Sequence, residues 1–214
     1  MVSGPSERDD PTRGAPTRGV RARRLPTAVK IVIAGGFGVG KTTMVGTVSE
    51  TQPLRTEELL TDRGVGVDDV AGVERKDTTT VAMDFGRITM RDEYVLYLFG
   101  TPGQKRFWFM WDEVALGALG AVVLADTRRL SDCFPSVDYF ERRDTPFVVA
   151  VNCFEGAKRY ELAEIEMALN LGPKVPVMLC DARETASCKQ VLIGLVLHAM
   201  KYRGLSEEPQ PQNA

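Results

Sequence analysis

Gly35, Gly36, Phe37, Gly38, Val39, Gly40, Lys41, Thr42 and Thr43 form a stretch whose residue types and spacing suit the binding of phosphate. Gly35, four residues, Gly40, Lys41 and Thr42 match the glycine-rich turn that leads from a strand into a helix. Glycines let successive backbone N–H groups converge on phosphate oxygens, and a helix starting near Lys41 turns its positive end toward them. Lys41 would then reach the β- and γ-phosphates while the Thr42 hydroxyl binds Mg2+. The alternative is a plain glycine turn that binds nothing. The apolar run AVKIVI before the turn and the helical KTTMVGTVSE after it favour the phosphate loop.

Such a loop needs a sheet behind it. With 214 residues, 43% hydrophobic and 26% charged, the chain suits one globular domain with a sizeable core. Short apolar runs recur as AVKIVIA, TTVAMDFGRITM, YVLYLFG, LGAVVLAD, PFVVAVN and VPVMLC, mostly separated by helical stretches. That order predicts an α/β fold of the P-loop NTPase kind: a six-stranded, mostly parallel sheet with helices on both faces. The second and third runs are joined only by RDE, too short for a crossover, so one strand is expected to run antiparallel. Near the end, Cys188, Val191, Leu192, Leu195, Val196 and Ala199 form a helical apolar stripe, with Gly204 as the stop. The long segment from Gln52 to Thr78 reads as a loop feeding Thr78, Thr79 and Thr80, and its length suggests a mobile lid over the phosphate end.

Composition also excludes several classes. No apolar run is long enough to span a membrane, and the N-terminus does not read as a secretion signal, so a cytoplasmic protein is expected. Cys133, Cys153, Cys180 and Cys188 show no CxxC spacing and His198 is the only histidine, which argues for reduced, mostly buried thiols rather than a zinc site or disulfide framework. Residues 1–27 read as a disordered basic arm, 28–204 as the folded domain and 205–214 as a disordered tail. The arm carries six arginines against Glu7, Asp9 and Asp10, which leaves the remainder near −5. It is either a solvated tail or a peripheral contact with anionic lipid or an acidic partner. No nucleic-acid partner is expected.

The order of GGFGVGKTT, TTTVAMDFG, TPGQKRF, VNCFEG and CDAR resembles the Ras-like small GTPases. Within them it is most similar to the GTPase-like proteins of actinobacterial conservon operons, and more distantly to the bacterial gliding-motility GTPases. The resemblance implies that Thr80 joins Thr42 on Mg2+, that the Gly103 N–H meets the γ-phosphate and that Gln104 orients the attacking water. VNCFEG would be the base-reading loop and CDAR, with Asp181, a second loop beneath the base. Guanine presents donors at N1 and N2 and an acceptor at O6. The Glu155 carboxylate would pair with the donors, the Ala182 N–H would meet O6, and Asn152 would hold the loop and reach N7. Glu155 and Cys153 stand where the family usually has Asp and Lys, and Phe154 is an alternative stacking partner for the base. Regulatory partners of roadblock and sensor-kinase-like type are implied.

Two departures bear on catalysis. Gly100 stands where the family carries an aspartate that anchors the Mg2+ water, with Asp84 or Asp126 as substitutes. Phe37 stands where a glycine usually admits an activating arginine, so unaided turnover should be slow, with Arg55, Arg63 and Arg75 as candidate internal arginines. The expected function is a guanine-nucleotide switch using Mg2+, binding GTP and GDP, and hydrolysing GTP weakly through Lys41, Thr80 and Gln104. The alternatives are a non-hydrolysing nucleotide-binding adaptor and an ATP-using ATPase or phosphotransferase. In KRFWFMW the rings of Phe107, Trp108 and Phe109 would point in different directions on a helix, so at least one is expected to be an exposed partner anchor.

Overall fold

A computed structural model describes residues 25–52, 54–60, 79–91, 93–103 and 109–205. The elements are β1 (Thr27–Gly35), α1 (Lys41–Val48), β2 (Leu54–Leu60), β3 (Thr79–Met90), β4 (Tyr94–Gly100), α2 (Trp111–Ala115), β5 (Gly120–Ala125), α3 (Phe134–Arg142), β6 (Phe147–Asn152), α4 (Leu162–Ala168), β7 (Val177–Cys180) and α5 (Thr185–Tyr202). They form one sheet in the order β2-β3-β4-β1-β5-β6-β7. β4, β1, β5, β6 and β7 are parallel, and β3 runs against both of its neighbours.

All six expected strands are present, with one antiparallel. The sheet gains a seventh strand, β2, from part of the segment read as a loop. Its backbone pairs with β3 from Leu54 opposite Phe85 to Leu60 opposite Thr79. The lid reading is therefore corrected for residues 54–60, while residues 61–78 lie outside the described residues, as do the arm through residue 24 and the tail from 206.

β5, β6 and the second half of β1 are buried on both faces, which is why they read as near-continuous apolar runs. On β1, Ile31 and Ile33 face a core built with Met44 and Val45 of α1 and Leu192 and Leu195 of α5. Val32 and Ala34 face the opposite core, against Val114 of α2, Val137 and Phe140 of α3 and Ile165 of α4. The alternation of side chains along a strand thus assigns α1 and α5 to one face and α2, α3 and α4 to the other. Three of the four cysteines are buried and all are free thiols, as expected. The turns after β1, β4, β6 and β7 gather at the carboxyl edge of the parallel strands, the edge where open α/β sheets bind ligands.

Candidate nucleotide-binding site

At the phosphate end, Lys41 opens α1 yet is buried, and its ammonium donates to the carbonyls of Gly35 at 2.8 Å and Gly36 at 2.6 Å. Burial pulls its pKa down to about 8, with the nearby Asp84 carboxylate opposing the shift. The loop after β4 reaches the same spot through Gly103. A Cβ there would lie 2.8 Å from the Lys41 Nζ and 2.9 Å from the Phe37 Cα, so no larger residue fits. The structure thereby brings Gly103, Lys41 and the loop at Phe37 together.

The aspartate missing at Gly100 has a counterpart one strand away. Asp84 on β3 pairs directly opposite Gly100 on β4 and is buried. The Thr42 hydroxyl donates to its Oδ2 at 2.5 Å. A Cβ on residue 100 would stand 3.0 Å from the Asp84 Cβ, so the glycine clears the space the carboxylate uses. Asp126, the other candidate, is committed elsewhere. Arg128 grips it with Nε at 2.9 Å and Nη2 at 2.7 Å, which holds its pKa below the usual carboxylate range.

At the base end, Asn152 closes β6 and clamps two loops. Its Nδ2 donates to the Val39 carbonyl at 2.9 Å, and its Oδ1 accepts from the Ala182 N–H at 3.1 Å. Gly40, with φ of 108°, adopts a backbone conformation that suits glycine, and a Cβ on it would lie 2.6 Å from the Asn152 amide. Asn152 thus ties the turn at Val39 to the turn at Ala182, and the Ala182 N–H is engaged by its side chain rather than pointing at an open pocket. The Ala182 carbonyl accepts from Thr47 at 2.8 Å and from the buried Cys188 thiol at 3.5 Å. Asp181 is forked by Arg183, whose hydrogen bonds lower its pKa to about 2. A cleft of about 150 Å3 lies between these loops, lined by Thr43, Asn152, Phe154, Glu155, Ala182 and Arg183 among others. Glu155 is exposed at its rim. The Arg128 guanidinium sits 3.9 Å from the centre of the Phe154 ring, so a base stacking on Phe154 has only the ring's other face.

The remaining expected residues divide. Thr80 lies on the part of β3 that extends past the pairing with β4 and opposite Leu59 of β2. Gln104, Phe107, Trp108, Arg63 and Arg75 lie outside the described residues. Phe109 is 64% exposed, whereas Trp111 is 3% exposed in the α2–α3 core, so the described aromatics split between surface and interior. Residues 109 and 110 form a 3-10 turn, and the α-helix begins only at Trp111. Arg129 was not foreseen: its Nη2 donates to the Phe37 carbonyl at 2.9 Å across 92 positions of chain, a contact with no local signature.

The family model described as a conserved hypothetical ATP binding protein matches residues 33–202. The chain belongs to that family. It is 32% identical over 126 residues to an uncharacterized protein of Methanocaldococcus jannaschii, spanning 58% of this chain and 69% of that one. The fold is similar to the G domain of the T. maritima FeoB iron transporter, with a TM-score of 0.55 and 17% identity over 82% of this chain and 99% of that domain. It is also similar to the cytosolic domain of that transporter in a GDP form, with a TM-score of 0.58 and 17% identity. That match covers 81% of this chain and 64% of the other. The family member described here thus has the G-domain form of the P-loop NTPase fold. Among the described residues, no helix is long and apolar enough to cross a membrane.

Proposed function

We propose that the protein is a Mg2+-dependent guanine-nucleotide switch that hydrolyses GTP slowly. The observation that carries the proposal is the convergence of a buried ammonium, a threonine hydroxyl and a carboxylate at one phosphate loop, with Thr42 and Asp84 joined at 2.5 Å. Hard oxygen donors are what Mg2+ takes, and Asp84 faces Thr42 across the sheet edge, so the donor set fits the ion. Thr42 would hold it, with Asp84 as the anchor that replaces the aspartate absent at Gly100, and Thr80 would join when the γ-phosphate is bound. Bound Mg2+ would neutralise charge on the β- and γ-phosphates. Lys41 would add the fixed cation, the Gly103 N–H would bind the γ-phosphate, and Gln104, the next residue, would orient water. Phosphoryl transfer needs little beyond such positioning and charge stabilisation.

For the base, the exposed Glu155 carboxylate at the cleft supports guanine, whose N1 and N2 donors it would accept. The GDP form of the FeoB domain supports the same reading by fold. A second reading, ATP as ligand, is favoured by the description of the family. A cytoplasmic location and protein partners on the nucleotide-sensitive side belong to the proposal, as does kinship with the conservon and gliding-motility GTPases.

Single-turnover phosphate release from GTP and from ATP, with Mg2+ and with chelator, tests the function. Slow release from GTP alone, abolished by chelator and reduced at least tenfold in Asp84→Asn, is expected. Equal use of ATP would overturn the guanine assignment, and no release from either nucleotide would leave a binding adaptor.

A further inference from the structure

Arg129 sits in the turn between β5 and α3, far in sequence from the long segment where an internal arginine was sought. Its Nη2 donates to the Phe37 carbonyl at 2.9 Å. That carbonyl belongs to the Phe37–Gly38 peptide of the loop that wraps the phosphates. Among the described residues, the other two arginines beside the cleft are locked. Arg128 forks Asp126 and covers Phe154, and Arg183 forks Asp181. Arg129 is held loosely by comparison. Its partner carboxylate, Asp132, is 3.7 Å away, and its side chain is half exposed. Its backbone, in contrast, is anchored, since its N–H donates to the Asp126 carbonyl at 2.9 Å and its own carbonyl accepts from the Asp132 N–H at 3.0 Å. A fixed base with a loosely held guanidinium at the phosphate loop is what a charge-supplying arginine requires.

We infer that Arg129 is the arginine this protein supplies to its own nucleotide, leaving the Phe37 carbonyl to donate to the γ-phosphate oxygens as hydrolysis proceeds. This rests on the hydrolase reading. In that reaction the oxygen of a water molecule bonds to the γ-phosphorus, and the bond from that phosphorus to the β,γ-bridging oxygen breaks. The electron pair of the broken bond stays on the diphosphate, and the water's proton passes to the released phosphate. Negative charge builds on the bridging oxygen as that bond breaks and stays spread over the oxygens of the γ-phosphoryl group, and five N–H donors on a permanent cation can stabilise it at both places. Phe37, 67% exposed, crowds the approach of an arginine from another protein, so the cation comes from within.

The test uses full-length wild type, Arg129→Ala and Arg129→Lys, each loaded with nucleotide in Mg2+. Expected for Arg129→Ala are a fall of about a thousandfold in single-turnover phosphate release and an affinity for GDP close to that of wild type. Partial retention in Arg129→Lys and partial rescue of Arg129→Ala by added guanidinium are also expected. In GDP with aluminium fluoride, wild type should form the transition-state complex and Arg129→Ala should not. Wild-type release by Arg129→Ala would overturn the inference. So would a parallel loss of GDP affinity without guanidinium rescue, which would make Arg129 a brace for the loop. A wild type that releases no phosphate from GTP or ATP overturns the hydrolase reading, and this inference with it.

Discussion

The two ends of the cleft are built on opposite terms. At the base end the polar groups of the loops are largely paired within the protein: Asn152 with Val39 and Ala182, Asp181 with Arg183, and Asp126 with Arg128. At the phosphate end a buried ammonium rests on two backbone carbonyls, a hydroxyl bonds a buried carboxylate, and a half-exposed guanidinium rests on a third carbonyl. The base end is a finished piece of structure. The phosphate end holds charges whose better partners would be phosphate and a cation, so binding energy and conformational response should concentrate there.

The sharpest way to break that contrast is Lys41→Met. A triphosphate should lose at least a hundredfold in affinity, because the fixed cation at the β- and γ-phosphates is gone. Without nucleotide the same substitution should stabilise the fold by the release of a buried charge, less the cost of leaving the Gly35 and Gly36 carbonyls without their donor. Lowering a lysine pKa from 10.5 to about 8 by burial means that the charged form is disfavoured by about 3 kcal/mol, an upper bound on the gain near neutral pH. Between pH 8 and 10.5 the unfolded wild type binds more protons than the folded one, so wild-type stability from this group rises with pH and the advantage of methionine shrinks. Triphosphate affinity of the wild type should fall in the same window, as the ammonium loses its proton. Urea unfolding and nucleotide titration at several pH values measure both. A Lys41→Met variant that is strongly destabilised would show that the lysine is structural and that the two ends do not differ.

Asn152→Ala probes the other end and should reverse the signs. Deleting the amide leaves the Val39 carbonyl and the Ala182 N–H without their partner, and a buried group so stranded costs about 1–3 kcal/mol. For the two groups a loss of about 2–6 kcal/mol in folding stability is expected even without nucleotide. Equal stability of Asn152→Ala and wild type in urea would mean that water replaces the clamp and that the base end is not pre-built.

The same contrast marks what could be read in the residues alone. β5, β6 and the Ile31–Gly35 part of β1 were legible because strand segments buried on both faces read as near-continuous apolar runs. β2 was not. Its run LRTEELL carries Arg55, Glu57 and Glu58, lies at the edge of the sheet and shows no clean alternation. The positions of Lys41, Thr42 and Asn152 at strand and helix ends were legible because they follow from local motifs. Asp84 remained one of two options, since only the pairing of β3 with β4 puts it opposite Gly100 and beside Thr42. Arg129 carried no motif, because its value comes from a tertiary contact with Phe37.

The smallest effect expected concerns the base itself. Glu155 is exposed at the rim of the cleft, so its carboxylate stays hydrated until a base displaces water. A hydrogen bond to a charged group contributes about 1.5–3 kcal/mol in protected settings, and exposure brings it to the lower end or below. Arg183, whose charge acts on Glu155 across the cleft and is itself shared with Asp181, weakens that contribution further. Glu155→Ala should therefore reduce the preference for GTP over ATP by about tenfold, a difference of about 1.4 kcal/mol. Folding stability should be unchanged, because no partner is stranded by the loss. Competition of GTP and ATP against a fluorescent guanine nucleotide reads the ratio directly. An unchanged ratio in Glu155→Ala would show that the Glu155 carboxylate does not discriminate guanine from adenine and would make the base end selective by shape rather than by charge.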